Sequence, residues 1–288
     1  MKKYLLNTFI LLVTFSMFFT LSACKESEDS SPSIEGALPD TGGSDESLPT
    51  EPDTPNEPTP PSEPEKPSEE EETPPTPTIS YAYYLSSKVN SLSVRSGTST
   101  ASSKLGSINK GDMLSLEGES GNWYRTVYKE KTAYVHKDYV TLVKIAKGDD
   151  RIEKVIAIGL KLLGHPYVYG SERYHWGNGK LNYNFVPGKY DCSALMQYMF
   201  YFGNGDLLEV TSKKQYYQGN KVDELKRGDL MFFTNANGYN STGINRVRHV
   251  GMYLGDNYIL HTASDYAVIE PISQTRWDYF ITAKRIIE

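Results

Sequence analysis

Three hydrophobic patterns follow one another along the chain. An almost unbroken apolar run from Leu5 to Leu21 comes first, behind the basic pair Lys2 and Lys3. Residues 25–78 then hold 13 of the 16 prolines and no aromatic residue. From residue 79 onward short alternating runs appear: Leu92-Ser93-Val94-Arg95, Met113-Leu114-Ser115-Leu116, Trp123-Tyr124-Arg125-Thr126-Val127 and Thr132-Ala133-Tyr134-Val135. Ser96-Gly97, Lys110-Gly111-Asp112 and Ser120-Gly121-Asn122 separate them. Short strands at close spacing with turn residues between them predict a small all-β barrel over residues 79–146.

The period changes after residue 147. Asp149-Asp150 followed by Ile152, Val155, Ile156, Gly159, Leu160 and Leu163 predicts a capped amphipathic helix that Gly164 stops. The stretch from Asp191 to Phe200, with Asp191 as N-cap and Gly203 as the stop, predicts a second helix. Strand patterns at Arg248–Gly255 and Tyr258–Ala263 predict a hairpin. Residues 147–288 are therefore expected to form an α+β unit.

The first two segments are read as export and tether. A basic start, an apolar run and Leu21-Ser22-Ala23-Cys24 mark residues 1–23 as a signal peptide. That ending resembles the lipobox of bacterial lipoproteins, which implies that Cys24 carries a diacylglycerol and anchors the chain to a membrane. The alternative is a plain transmembrane anchor, for which the run is marginal in length. Residues 24–78 are too poor in apolar side chains to offset their chain entropy and read as a disordered Pro/Glu/Ser/Thr-rich linker. At ~3.1 Å per residue its reach has a ceiling of about 170 Å.

Net charge is −6, unevenly spread: −14 over residues 25–78, +2 over the first 24, and so +6 over residues 79–288. Nothing resembles a phosphate-cradling loop or a nucleic-acid module, and no HxxEH or paired CxxC pattern suggests a metal, so neither metal nor cofactor is expected. The oligomeric state is not legible.

The two cysteines, Cys24 and Cys192, are too few for a disulfide framework. Cys192 falls in the first turn of the predicted second helix, where the dipole and free N–H groups favour a thiolate, with settings of this kind bringing a thiol from ~8.5 to about 3.5–7.5. A buried structural cysteine is the alternative. A catalytic thiol needs a base, and the candidates are His165, His175, His249 and His261. The last two lie on one hairpin. A two-residue loop at Asp256-Asn257 pairs Met252 with His261 and puts the histidines on opposite faces. A three-residue loop or a bulge pairs Gly251 with His261 and puts them side by side. The second arrangement is expected, with His249 as base and His261 orienting it. A backbone-satisfied strand histidine is the alternative for His261.

These residues, in order, resemble the NlpC/p60 family of cell-wall peptidases, a papain-like fold. The pieces are Gly164-His165-Pro166-Tyr167-Val168-Tyr169-Gly170, Asp191-Cys192-Ser193, Thr211-Ser212 with Gln215, Arg227-Gly228-Asp229-Leu230-Met231-Phe232-Phe233, His249-Val250-Gly251-Met252-Tyr253-Leu254-Gly255 and His261-Thr262-Ala263. The preceding unit resembles a bacterial SH3 domain, with Ser93 where Asn is usual. The first resemblance implies a nucleophile at Cys192, a base at His249 and a third residue at His261. It implies an oxyanion role for Tyr167, a free-amine contact at Asp191, and substrate-pocket positions at Ser193 and Ser212. It further implies hydrolysis of γ-D-glutamyl–diamino acid bonds in peptidoglycan stem peptides, outside the cell membrane and facing the wall.

Four features depart from the family pattern. Ala194 stands for Gly, Tyr169 for Trp, and Val210 for an arginine that engages substrate carboxylate. Ser171–Lys189 is longer than the usual loop and is either a lid or a packed surface loop. Tyr124 and Tyr134 either line a groove or fill a small core, Trp123 is expected in the core, and His136 at a strand end. An amidase or acyltransferase on the same fold, and a wall-binding scaffold without turnover, stay open as other functions.

Overall fold

A computed structural model describes residues 78–262 and 265–288. The signal segment, the lipidation position Cys24 and the proline-rich linker lie outside the described residues. Among the described residues no helix is long and apolar enough to cross a membrane.

Eight strands come first: β1 (Tyr81–Ser87), β2 (Leu92–Arg95), β3 (Lys104–Ile108), β4 (Met113–Ser115), β5 (Gly118–Ser120), β6 (Trp123–Tyr128), β7 (Lys131–His136) and β8 (Val140–Ala146). Val94, Ala133 and Val135 are fully buried and their strand neighbours are not, so the alternation seen in the sequence is the inside–outside alternation of strands. Trp123 is buried at the core edge, and Tyr124 packs against the same core while remaining part-exposed. The β6–β7 hairpin turns at Lys129 and Glu130, both at positive φ (52° and 58°), as a two-residue type I′ turn needs. His136 caps the short 3₁₀ turn Lys137–Tyr139 and stands edge-on to Trp123.

Two helices follow, α1 (Asp150–Leu162) and α2 (Cys192–Asn204). Asp149 caps α1 by accepting from the Arg151 N–H at 2.9 Å, and Gly164 leaves it at a φ of +86°. The two helices pack face to face. Gly203 does not stop α2. It lies inside the helix, where a Cβ would stand 2.4 Å from Val155 Cα, so it is a point of close approach to α1. The stop is Gly205, at a φ of +81°.

The remaining elements are α3 (Ser212–Gln215), β9 (Asn220–Val222), β10 (Leu230–Phe233), β11 (His249–Gly255), β12 (Tyr258–Thr262), β13 (Ala267–Pro271), α4 (Gln274–Asp278) and β14 (Phe280–Arg285). A nine-stranded antiparallel sheet runs β8-β1-β4-β13-β12-β11-β10-β14-β9, and a second sheet runs β3-β2-β7-β6-β5. The long sheet joins strands of both units through the pair Ile269↔Met113. One apolar cluster likewise holds Leu85 and Val94 together with Val155, Leu195 and Val250. The β6–β7 turn also closes the end of α1: Lys129 and Glu130 donate their N–H groups to Leu163 and Lys161 at 2.9 and 2.8 Å. Arg227, almost wholly buried, bonds Glu153 of α1, the Tyr84 hydroxyl of β1 and the Leu254 carbonyl of β11. Mixed helices and antiparallel strands make this an α+β fold.

Candidate active site

Cys192 opens α2 because Asp191 is a good cap. One carboxylate oxygen of Asp191 accepts from the Ala194 N–H at 2.9 Å and the Ser193 hydroxyl at 3.0 Å. The apolar run Leu195, Met196, Met199 and Phe200 then buries the helix against β11 and β12, which brings its first turn to the hairpin that carries the histidines. The N–H groups of Ser193 and Val250 face the sulfur. Two adjoining hollows meet here. One, of about 620 Å³, is lined by Cys192, Tyr167, Arg173, Ser193, Ser212 and Arg248 among others. The other, of about 500 Å³, is lined by His249, Tyr167, Thr234, Arg248, Arg276 and Tyr279 among others. Tyr167, Asn235 and Arg248 border both, so a single cleft passes over the helix tip.

The hairpin register is decided by a bulge. Asp256 and Asn257, at positive φ (48° and 66°), form a two-residue turn that pairs Gly255 with Tyr258. An irregularity at Leu254 then shifts the ladder, so that Tyr253 faces Ile259 and Met252 faces Leu260. His249 and His261 thereby share a face, and His249 Nε2 lies 2.8 Å from His261 Nδ1. The loop is two residues long, and the bulge supplies the odd count.

A fourth member of this chain escaped the sequence reading. Glu270 on β13 stands diagonally across from His261, and its Oε1 lies 2.9 Å from His261 Nε2 and 3.0 Å from Arg276 Nη2. A carboxylate only accepts, so the proton of His261 sits on Nε2 and its Nδ1 is bare. Nδ1 then accepts from the Nε2–H of His249, which leaves the lone pair of His249 on its own Nδ1. Burial, reinforced by His261 and Arg276, holds the His249 pKa well below 6.5, and burial likewise lowers that of His261. Both rings are therefore neutral at neutral pH.

The thiol departs from expectation. Cys192 is buried, and burial, followed by the charge of Asp191, pushes it up to about 11. The backbone N–H groups of Val250 and Ser193 and the charge of Arg173 pull the other way without prevailing. Desolvation of the anion outweighs the helix tip, so the thiol at the helix tip rests neutral.

Tyr167 sits in the loop before the helix. The loop is pinned by the Tyr167 N–H to Asp265 carbonyl bond and the Val168 N–H to Tyr190 carbonyl bond, both 3.0 Å. Burial and then the nearby Cys192 raise the pKa of the Tyr167 hydroxyl, which keeps it a donor. Ser193 is buried, donating to Asp191 and accepting from Arg173 at 3.1 Å, while Ser212 lines the cleft at the start of α3. Gln215, fully buried, donates to the Ser193 and Glu209 carbonyls at 3.0 and 2.8 Å and so fixes this wall. His165 is turned away toward Glu130 of the barrel, at 3.3 Å. His175 is buried beside Tyr201 and accepts from the Gly177 N–H at 3.0 Å.

The stretch 171–189 is anchored around Tyr174 and Arg173, while Trp176, Leu181, Tyr183 and Val186 stay exposed. Tyr174 lies in an aromatic cluster with Phe185, Tyr198, Tyr201 and Phe202, with ring centroids 4.8–5.9 Å away. Its Arg173 reaches back to Asp191 Oδ2 at 2.8 Å.

The NlpC/P60 family model matches residues 164–285 and the bacterial SH3 domain model matches residues 90–141. The peptidoglycan endopeptidase RipA of Mycolicibacterium smegmatis is 30% identical over 145 residues, covering 49% of this chain and 27% of that protein. The gamma-D-glutamyl-L-lysine dipeptidyl-peptidase of Bacillus subtilis is 30% identical over 171 residues, covering 58% of this chain and 50% of that protein. The chain thus spans between a quarter and half the length of these two relatives. A solved NlpC/P60 family protein from Bacillus cereus is 22% identical, with a TM-score of 0.38, covering 72% of this chain and 64% of that one. Residues 164–285 are thus similar to the NlpC/P60 family, and residues 90–141, which precede them, to a bacterial SH3 domain.

Proposed function

We propose that this chain is a cysteine peptidase of the bacterial cell wall that cuts the γ-D-glutamyl–diamino acid bond of peptidoglycan stem peptides. The observation that carries the reading is the hydrogen-bonded run His249, His261, Glu270 in one hollow and Cys192 in the adjoining one, with the bond directions leaving Nδ1 of His249 as a free ring acceptor. The activities of the two relatives, one a peptidoglycan endopeptidase and the other a gamma-D-glutamyl-L-lysine dipeptidyl-peptidase, support it.

In this reading His249 Nδ1 takes the Cys192 proton as the sulfur bonds to the scissile carbonyl carbon. The carbonyl oxygen becomes an oxyanion, which the Cys192 N–H and the Tyr167 hydroxyl stabilise. The imidazolium returns its proton to the leaving amine, the C–N bond breaks, and a thioester remains. A water, deprotonated by His249, then frees the acid and the thiol. Because the thiol is neutral at rest, attack and proton transfer occur together. His261 and Glu270 hold the tautomer of His249 and offset its transient charge. Ser193 and Ser212 belong to the wall that positions the acyl side. A lipid on Cys24 and the extended linker would hold this unit at the outer face of the membrane within reach of the wall.

Purified peptidoglycan digested with the wild type and with Cys192→Ala tests the proposal by mass spectrometry. New free γ-D-glutamyl ends with the wild type alone are expected. Free muramoyl groups would make it an amidase, and identical digests from both proteins would leave a binding module.

A further inference from the structure

Arg173 comes from the stretch that distinguishes this chain, and its guanidinium stands in the wall beside Cys192. Its Nε donates to the Val210 carbonyl at 2.5 Å, its Nη1 to the Ser171 carbonyl, and its Nη2 to Asp191 Oδ2 at 2.8 Å and Ser193 Oγ at 3.1 Å. Ser171 is itself fixed, its hydroxyl accepting from the Asp191 N–H at 2.9 Å. Both side chains of the ion pair are nearly out of solvent, at 12% and 8% exposure. The second oxygen of Asp191 already takes Ala194 and Ser193. The carboxylate is therefore committed to the helix cap and to Arg173.

The charge of this wall follows. Its lining holds Arg173, Lys213 and Arg248 against the single carboxylate of Asp191, a balance of +2. Arg173 is neutralised by Asp191. Lys213 bonds the neutral Asn245 at 2.9 Å, and Arg248 enters no ion pair among the described residues. A free ammonium arriving next to Cys192 would find its one anionic partner occupied. Displacing Arg173 would strand a guanidinium in a site where water is scarce. An amide carbonyl, by contrast, can accept from the Nη1–H that Arg173 has left, and a carboxylate is drawn by Lys213 and Arg248.

We propose that the Arg173–Asp191 pair makes the cleft select stem peptides whose amino end is acylated, as it is while the stem remains attached to its glycan, over peptides with a free amino end. The inference rests on the peptidase reading given above. It also gives Asp191 a different part from the free-amine contact that the family resemblance implies: Asp191 holds Arg173, and Arg173 meets the substrate.

The experiment compares kcat/KM of the full chain on L-Ala-γ-D-Glu-diamino acid peptides with a free and an N-acetylated amino end, each prepared with lysine and with diaminopimelate. The acetylated peptide is expected to be cleaved roughly tenfold faster, with salt narrowing the gap. Arg173→Met frees Asp191 and brings the ratio to one or below. Arg173→Lys keeps the charge beside Asp191 but has no N–H to spare for the acyl carbonyl, so it narrows the preference; if the methionine variant does not fold, an unchanged ratio in the lysine variant overturns the inference. A free-amine peptide cleaved as fast or faster by the wild type overturns the inference while leaving the peptidase reading intact. A ratio unchanged in a folded Arg173→Met overturns it as well. Failure to cleave any of the peptides removes the peptidase reading and this inference with it.

Discussion

Glu270→Gln isolates the part of the site that no local pattern announces. The carboxylate accepts from His261 at 2.9 Å and from Arg276 at 3.0 Å. Glutamine keeps the volume and can still accept from His261 Nε2–H. It cannot balance Arg276, nor the positive charge that appears on His249 while it holds the thiol proton. A hydrogen bond to a charged group contributes about 1.5–3 kcal/mol, and at ~1.4 kcal/mol per decade the variant should lose roughly 10–100-fold in rate. The wall that holds the acyl side is untouched, so the loss falls in kcat with KM within about twofold. Initial rates on a defined stem peptide measure both. The charge also has a signature in stability. Burial raises the Glu270 carboxyl, but the bond to His261 and the charges of His261 and Arg276 outweigh it and hold it below 4.5. Its contribution is then complete above 4.5 and is lost as pH falls through the depressed value. The Tm gap between wild type and variant should accordingly close on acidification. A folded Glu270→Gln with kcat within about twofold of wild type would refute the tautomer argument.

Four other outcomes are expected. Alkylation of Cys192 by iodoacetamide should be slow at neutral pH and climb about tenfold per pH unit toward pH 11 without levelling off, whereas a midpoint near neutrality would contradict the buried neutral thiol. The acid limb of kcat/KM should lie below pH 6.5, because His249 stays unprotonated until well under that value, and a limb above it would show a charged resting imidazole. Gly203→Ala should lower Tm by about 4–8 °C in a thermal melt, since the new methyl meets Val155 backbone, and overpacking at the upper end, about 3 kcal/mol, exceeds the helix-propensity gain of ~1 kcal/mol. Cys24→Ala should move the protein from the membrane to the soluble fraction on fractionation, and an unprocessed chain that stays bound would point to a peptide anchor.

Much of the site was legible because it is local. Asp191 caps a helix three residues on, so Cys192 at a helix tip follows from composition alone. The alternation through Val94, Ala133 and Val135 made the barrel visible, and the hairpin announced itself in its turn residues. The histidine pairing was accessible only as a choice between registers, and the bulge at Leu254 made that choice. Tertiary structure alone decided the rest. Glu270 and Arg276 reach His261 across a strand pairing, Arg173 reaches Asp191 from 18 residues away, and Ile269 joins the barrel's Met113 from across the chain. The thiol's neutrality belongs to the same class. A helix N-terminus favours the anion and can be read from sequence, but burial opposes it more strongly, and burial depends on every element packed around the sulfur. Patterns along a chain record which groups are neighbours in sequence, whereas desolvation and ion pairing depend on which groups fold into contact.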